Sequence, residues 1–248
     1  MIVVQDLHYR YPDGTAALQG IRLTIEEGEF LLVCGPNGSG KTTLLRHLNG
    51  LLQPDSGEVL VDGLSTCREI AQVRQRVGMV FQDADSQIVG ETVEEDVAFG
   101  PENLGLKPEE TARRVDEALK WVGLDPLRSK SCHLLSGGEK RRLAIAGVLA
   151  MRPRIIVFDE PFASMDYRGV QQVLRQLLRL RAEGRTLVLS THDLEKVIAH
   201  VDRIVVLANG RIRKEGKPQT VALELEPYGV RPPCHVLTGG RELSWLPD

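Results

Sequence analysis

The 248-residue sequence predicts an α/β fold. A mostly parallel sheet flanked by helices should carry a small antiparallel β subdomain and a helical subdomain. Three observations point there. Short runs at 30–34, 77–81, 155–158 and 186–189, apolar but for Thr186, fit strands buried on both faces, as in a parallel sheet. Between them, apolar residues recur at helical spacing. Near the start, strict alternation marks strands with one buried face.

In chain order, Ile21, Leu23 and Ile25 alternate with Arg22, Thr24 and Glu26, which reads as a half-buried strand. Phe30-Leu31-Leu32-Val33-Cys34 is continuous and apolar, bounded by Gly28 and Gly35. Residues 42–52 read as a helix with Leu44, Leu45, Leu48 and Leu52 on one face. Residues 83–152 contain no run of the buried-strand kind and read as an inserted helical subdomain. Within it, Val115, Ala118, Leu119 and Val122 follow Pro108, a residue suited to a first helical turn. Val170, Val173, Leu174, Leu177 and Leu178 form another one-sided stripe. Asn209-Gly210, between residues 203–207 and 211–214, predicts a tight hairpin. This gives one domain over 1–220 and a Pro- and Gly-rich tail over 221–248 that packs on the core.

Composition narrows the function classes. With 31 basic and 34 acidic residues the net charge is −3, and a dedicated nucleic-acid binder would be more basic. No apolar run approaches the roughly 20 residues of a membrane span. Met1-Ile2-Val3-Val4-Gln5-Asp6 lacks the basic-then-apolar order of a signal peptide. Cys34, Cys67, Cys132 and Cys234 form no CxxC pair, which argues for reduced thiols rather than a zinc site.

Gly35-Pro36-Asn37-Gly38-Ser39-Gly40-Lys41-Thr42 matches G-x-x-x-x-G-K-[ST] between a buried strand and a helix. Such a loop curls so that backbone N–H groups face phosphate oxygens, and the helix beginning there adds its positive end. Lys41 would reach the outer phosphates, the Thr42 hydroxyl would bind Mg²⁺, and Thr43 completes the binding segment. The core is therefore expected to be a P-loop NTPase. Residues 155–158 end in Asp159-Glu160, two acids at the carboxyl end of a buried strand, where α/β sheets bind ligands. Asp159 suits the Mg²⁺ shell, and Glu160 is placed to orient or deprotonate a water.

Leu135-Ser136-Gly137-Gly138-Glu139-Lys140-Arg141-Arg142 resembles the signature of ATP-binding-cassette (ABC) ATPases. In the same order the chain offers Tyr11 for the adenine-stacking aromatic, Gln82 for the Q-loop glutamine, Ala163-Ser164-Met165-Asp166 for the D-loop and His192 for the switch histidine. Residues 81–105 further resemble the ATPases of energy-coupling-factor importers, which drive uptake of cobalt, nickel or vitamins. The resemblance implies ATP and Mg²⁺ sandwiched between two ATPase subunits, identical or related. Ser136, Gly137, Gly138 and Asp166 would act on nucleotide held by the opposite subunit. Glu160, His192, Gln82 and Lys41 would be catalytic, and Thr42, Gln82 and Asp159 would hold the metal. It also implies a separate transmembrane partner, met from the cytoplasmic face of the cell membrane near residues 82–103, and no nucleic acid. An ATPase of another ABC importer, or a soluble ABC ATPase outside transport, remains the alternative.

Glu139 stands where Gln is commoner, and Met165 where Leu is usual. In the docking segment Ile88, Val89, Val93, Val97 and Phe99 are apolar, with acids between. The acidic Glu91, Glu94, Glu95 and Asp96, and the basic Lys140, Arg141, Arg142, Arg152 and Arg154, read as solvated faces.

Overall fold

The computed structural model describes residues 1–239 and 244–246. The end of the expected 221–248 tail thus lies partly outside the described residues.

Two sheets form the body. The first has strands β1 (Ile2–Arg10), β2 (Ala16–Ile25), β4 (Ser56–Val61) and β5 (Leu64–Ser65), all antiparallel, in the order β2-β1-β4-β5. The second orders β10 (Arg211–Gly216), β9 (Arg203–Ala208), β3 (Phe30–Cys34), β8 (Thr186–Thr191), β7 (Ile155–Asp159) and β6 (Val77–Val80). Its strands are parallel except for the β9–β10 hairpin. Asn209 and Gly210, at φ +51° and +69°, make that turn as the sequence predicts.

The apolar runs are continuous because alternate side chains feed two different cores. Phe30, Leu32, Ile156 and Phe158 enter one, while Leu31, Val33, Ile155 and Val157 enter the other. The second core lies between the two sheets and takes in Leu44, Leu45 and Leu48 of α1 (Lys41–Leu48). The helix is shorter than residues 42–52. Gly50, at φ +68°, turns the chain beyond it and leaves Leu52 half-buried outside. The short α2 (Ile70–Arg76) then leads into β6, which stops before Phe81.

Residues 83–152 hold α3 (Val93–Asn103), α4 (Pro108–Val122) and α5 (Gly137–Ala150), which pack on one another. Among the described residues, the one β pairing within 83–152 is an isolated bridge, Thr92 to Ser131. α6 (Tyr167–Ala182) buries Val170, Val173, Leu174, Leu177 and Leu180; Leu180 rather than Leu178 completes the stripe. The short α7 (Pro218–Val221) straddles the expected boundary, and α8 (Cys234–Thr238) follows. Val221, Ala222, Leu225 and Val230 are buried in the first core, so this part of the tail packs on the body. No described helix is long and apolar enough to cross a membrane.

Candidate active site

Residues 35–40 carry the chain from β3 into α1 as a curled loop. Glycine is obligatory where the loop meets its neighbours. A Cβ on Gly35 would lie 2.1 Å from the Leu207 carbonyl oxygen, and one on Gly40, at φ +103°, 2.7 Å from that of Ala17. Gly40 caps α1 without a side chain, so the helix's leading N–H groups stay open to an anion. The Ser39 hydroxyl is buried with no partner. Lys41 folds back, donating from Nζ to the carbonyls of Gly35 (2.8 Å) and Pro36 (3.0 Å). Burial pushes its pKa down, opposed by the nearby carboxylates of Glu160 and Asp159.

Across the loop stand the ends of β7 and β8, whose register pairs Asp159 with Ser190. The Ser190 hydroxyl donates to Asp159 Oδ1 (2.6 Å) and accepts from the Glu160 N–H (3.1 Å). Glu160 is buried, and its φ is +47°. Its Oε1 accepts from the His192 backbone N–H (3.0 Å) and lies 2.9 Å from His192 Nδ1. With the carboxylate accepting, Nδ1 carries the hydrogen.

A cavity of about 420 Å³ gathers Tyr11, Asn37, Lys41, Thr42, Gln82, Glu160 and His192, with Gly38, Ser39, Gly40 and Thr43. The Tyr11 hydroxyl lies 2.8 Å from Thr43 Oγ1, which holds the ring at the cavity's edge. The cavity thus offers N–H donors and an ammonium for phosphates, an aromatic face for a base, and a carboxylate backed by an imidazole. Hydroxyl, amide and carboxylate oxygens on Thr42, Gln82 and Asp159 are the hard donors that Mg²⁺ takes, so these residues fit that ion.

Ser136, Gly137, Gly138 and Asp166 are not in this cavity. Gly137 and Gly138 line a second one, about 660 Å³, with Ser164, Asp166 and Gln82. Ser136 caps α5 in a reciprocal box. Its Oγ accepts from the Glu139 N–H (3.3 Å), and Glu139 Oε2 accepts from the Ser136 N–H (2.7 Å). Glu139 therefore does here what a glutamine could do equally well. Asp166 caps α6, accepting from the Gly169 N–H (2.8 Å). A Cβ on Gly137 or Gly138 would meet nothing within 4 Å, so these glycines face open space in the single chain.

Two solvated-face expectations need correction. Arg141 is buried, with Nη1 3.5 Å from the Glu160 carbonyl oxygen, and desolvation pushes its pKa down. Asp96 is buried too, accepting from the Val89 (2.7 Å) and Gly90 (3.1 Å) N–H groups through one oxygen. Sequence reading also missed Ser190. Its signal was a polar residue ending an otherwise apolar run, beside the acid pair across the sheet.

Comparison with known proteins fits this geometry. A family model described as "ABC transporter" matches residues 18–163. The energy-coupling factor transporter ATP-binding protein EcfA of Methanocaldococcus jannaschii is 47% identical over 229 residues, covering 91% of this chain and 82% of its own length. The cobalt import ATP-binding protein CbiO of Rhodobacter capsulatus is 46% identical over 239 residues, covering 94% and 85%. Among solved structures, CbiO1 of Clostridium perfringens, part of the CbiONQ transporter complex, superposes with a TM-score of 0.81 at 41% identity, covering 91% and 92%. A dimeric ATP-binding cassette in a post-hydrolysis state, bound to ADP and phosphate, gives 0.79 at 32% identity, covering 88% and 99%. A domain match over more than half of the chain, and kinship along nine-tenths of it, make this chain a member of the ABC transporter family and an ATP-hydrolysing cassette.

Proposed function

We propose that this chain is the ATPase subunit of an energy-coupling-factor importer, bound to the cytoplasmic face of the membrane through a separate transmembrane subunit. Kinship to EcfA and CbiO supports the importer class, and the observation that carries the two-chain ATPase is the division of the site. The phosphate loop, Glu160 and His192 line one cavity, while Gly137, Gly138 and Asp166 line another, and Gln82 borders both. Two chains related by a two-fold axis would each supply what the other lacks, with Ser136, Gly137 and Gly138 presenting the start of α5 to the terminal phosphate.

Within one composite site, Tyr11 stacks on the base, residues 35–43 hold the phosphates, and Lys41 turns from its loop carbonyls to the outer ones. Thr42, Gln82 and Asp159 would hold Mg²⁺, which when bound neutralises phosphate charge. Glu160 orients the attacking water and takes up its proton, and His192, fixed by the same carboxylate, steadies the terminal phosphate. Gln82, at the joint between core and helical subdomain, passes the state of the site to residues 83–103, where the membrane partner docks.

Mixed dimers test the division. A Lys41→Ala chain and a Ser136→Arg chain should each be inactive alone. Combined, they hold one site with both groups intact and should recover a measurable part of phosphate release. Activity that stays at zero, although mixed dimers form and bind ATP, would remove the trans arrangement.

A further inference from the structure

Behind Tyr11 lies a closed circuit of contacts that the ATPase chemistry does not use. Tyr9 lies near the end of β1 and Tyr11 one residue past it, and the two rings meet edge to face. Their centroids are 5.1 Å apart and their planes cross at 82°. On its other side Tyr9 meets His47, at 4.8 Å and 73°. His47 is one helical turn beyond Thr43 in α1 and fully buried. Its Nδ1 lies 2.7 Å from the Thr43 carbonyl oxygen. A carbonyl can only accept, so Nδ1 carries the hydrogen. The circuit closes where the Tyr11 hydroxyl meets Thr43 Oγ1 at 2.8 Å. Thr43 is thus gripped at both its carbonyl and its hydroxyl by one aromatic chain.

We propose that Tyr9 and His47 are positioning residues that clamp the Tyr11 ring edge-on and so set the strength of base recognition. The inference rests on Tyr11 being the base platform. Tyr11 lines the cavity beside the phosphate loop, whereas Tyr9 and His47 do not. The ring torsion of a tyrosine is soft, and a half-buried ring held only by its hydroxyl would sample several tilts. Two edge-to-face contacts in series, anchored on a buried histidine, select one tilt before the base arrives. Such preorganisation raises affinity for the base without touching it. It should leave the phosphate loop's grip on a triphosphate unchanged, because Thr43 is the one phosphate-binding residue in the circuit and residues 35–42 lie outside it.

The test compares two ligands on the full chain by calorimetry: ATP, and inorganic tripolyphosphate, which has no base. In Tyr9→Leu, which keeps apolar bulk and removes the ring, ATP should bind roughly fivefold more weakly, the size of a lost aromatic pair. Tripolyphosphate affinity should stay at the wild-type value. Tyr9→Phe, which keeps the ring, should restore the wild-type ratio. His47→Gln, with an N–H donor but no ring, should shift the ratio as Tyr9→Leu does, and it decides the matter if Tyr9→Leu fails to fold. Tyr11→Ala is the control for the platform itself. If Tyr11→Ala lowers the ratio but Tyr9→Leu and His47→Gln do not, the clamp is overturned and the platform stands. An unmoved ratio in Tyr11→Ala overturns the platform, and the clamp with it. Equal weakening of both ligands would mean that the circuit serves the phosphate loop through Thr43, which also overturns a base-specific role.

Discussion

Glu160 occupies a backbone region that a glutamate adopts at a cost on the order of 1 kcal/mol. Two hydrogen bonds to β8 and its end hold the residue there: its own N–H donates to the Ser190 hydroxyl, and its carboxylate accepts from the His192 N–H. Glu160→Gln keeps the shape and loses the charge and the basicity. Phosphate release should fall by about a hundredfold or more while ATP binding persists, as filter binding and single-turnover assays would report. Turnover close to wild type would take the base role away from Glu160. Asp96 gives a second residue-scale prediction, in pH. Burial raises its carboxyl pKa, with the Val89 and Gly90 N–H groups opposing. The folded form therefore holds its proton to higher pH than the unfolded chain does. Its contribution to stability is full below the unfolded value near 3.8 and is lost as pH rises through the folded value. Asp96→Asn should unfold at higher denaturant than wild type at pH 7, and this advantage should shrink towards pH 4. An advantage that grew on acidification would reverse the sign assigned to the burial.

At the scale of elements, α5 shows why the departure at Glu139 is harmless. The capping box needs an acceptor oxygen three residues after Ser136, and Glu or Gln supplies one. Glu139→Gln should leave thermal stability nearly unchanged, whereas Glu139→Ala should cost about 1 kcal/mol and lower the melting temperature. The strands were legible because a doubly buried strand must be apolar on both faces, as 30–34 and 155–158 are. The end of α1 was less so: Leu52 keeps the helical spacing, but Gly50 has already turned the chain. Arg141 and Asp96 were not legible at all. What buries a charge in this fold is a contact with a distant segment or a tight turn, such as the carbonyl of Glu160 or the N–H groups of Val89 and Gly90. Local charge patterning contains neither.

For the whole molecule, the question is which surface meets the membrane subunit. Val93 and Val97, both apolar in the docking segment, are fully buried and fill the helical subdomain. Val89 and Phe99 are 60% and 53% exposed, so they remain to make contact. Glu94 and Glu95 are poor probes of that contact, since Glu94 pairs with Arg128 and Glu95 closes the cap of α3. Replacing Val89 and Phe99 together by Lys should cut recovery of the membrane complex about tenfold or more, while the isolated chain keeps its ATP affinity. Unchanged recovery would move the interface elsewhere. The motifs named most residues that line the phosphate cavity, because that chemistry is local to short segments, but not Thr15, Ala16 or Ala17, and Asp159 lies outside the lining. The division into two cavities could only be inferred from the resemblance, since it depends on how α5 and α6 are carried by the fold.

The hairpin between β9 and β10 has a consequence for how the chain comes into being. Gly210 donates its N–H to the Ser39 carbonyl (3.1 Å), its own carbonyl accepts from Gln19 (2.8 Å), and Leu207 walls the space where Gly35 bends. The nucleotide cradle of the first fifty residues is therefore braced by a segment some 170 positions later. A nascent chain that has exposed residues 35–43 but not residue 210 lacks that brace. On the ribosome, the cassette should acquire its full grip on ATP only after residue 210 has emerged. By then α5, α6 and His192 have already emerged, so the parts of the site appear before the brace that completes the cradle.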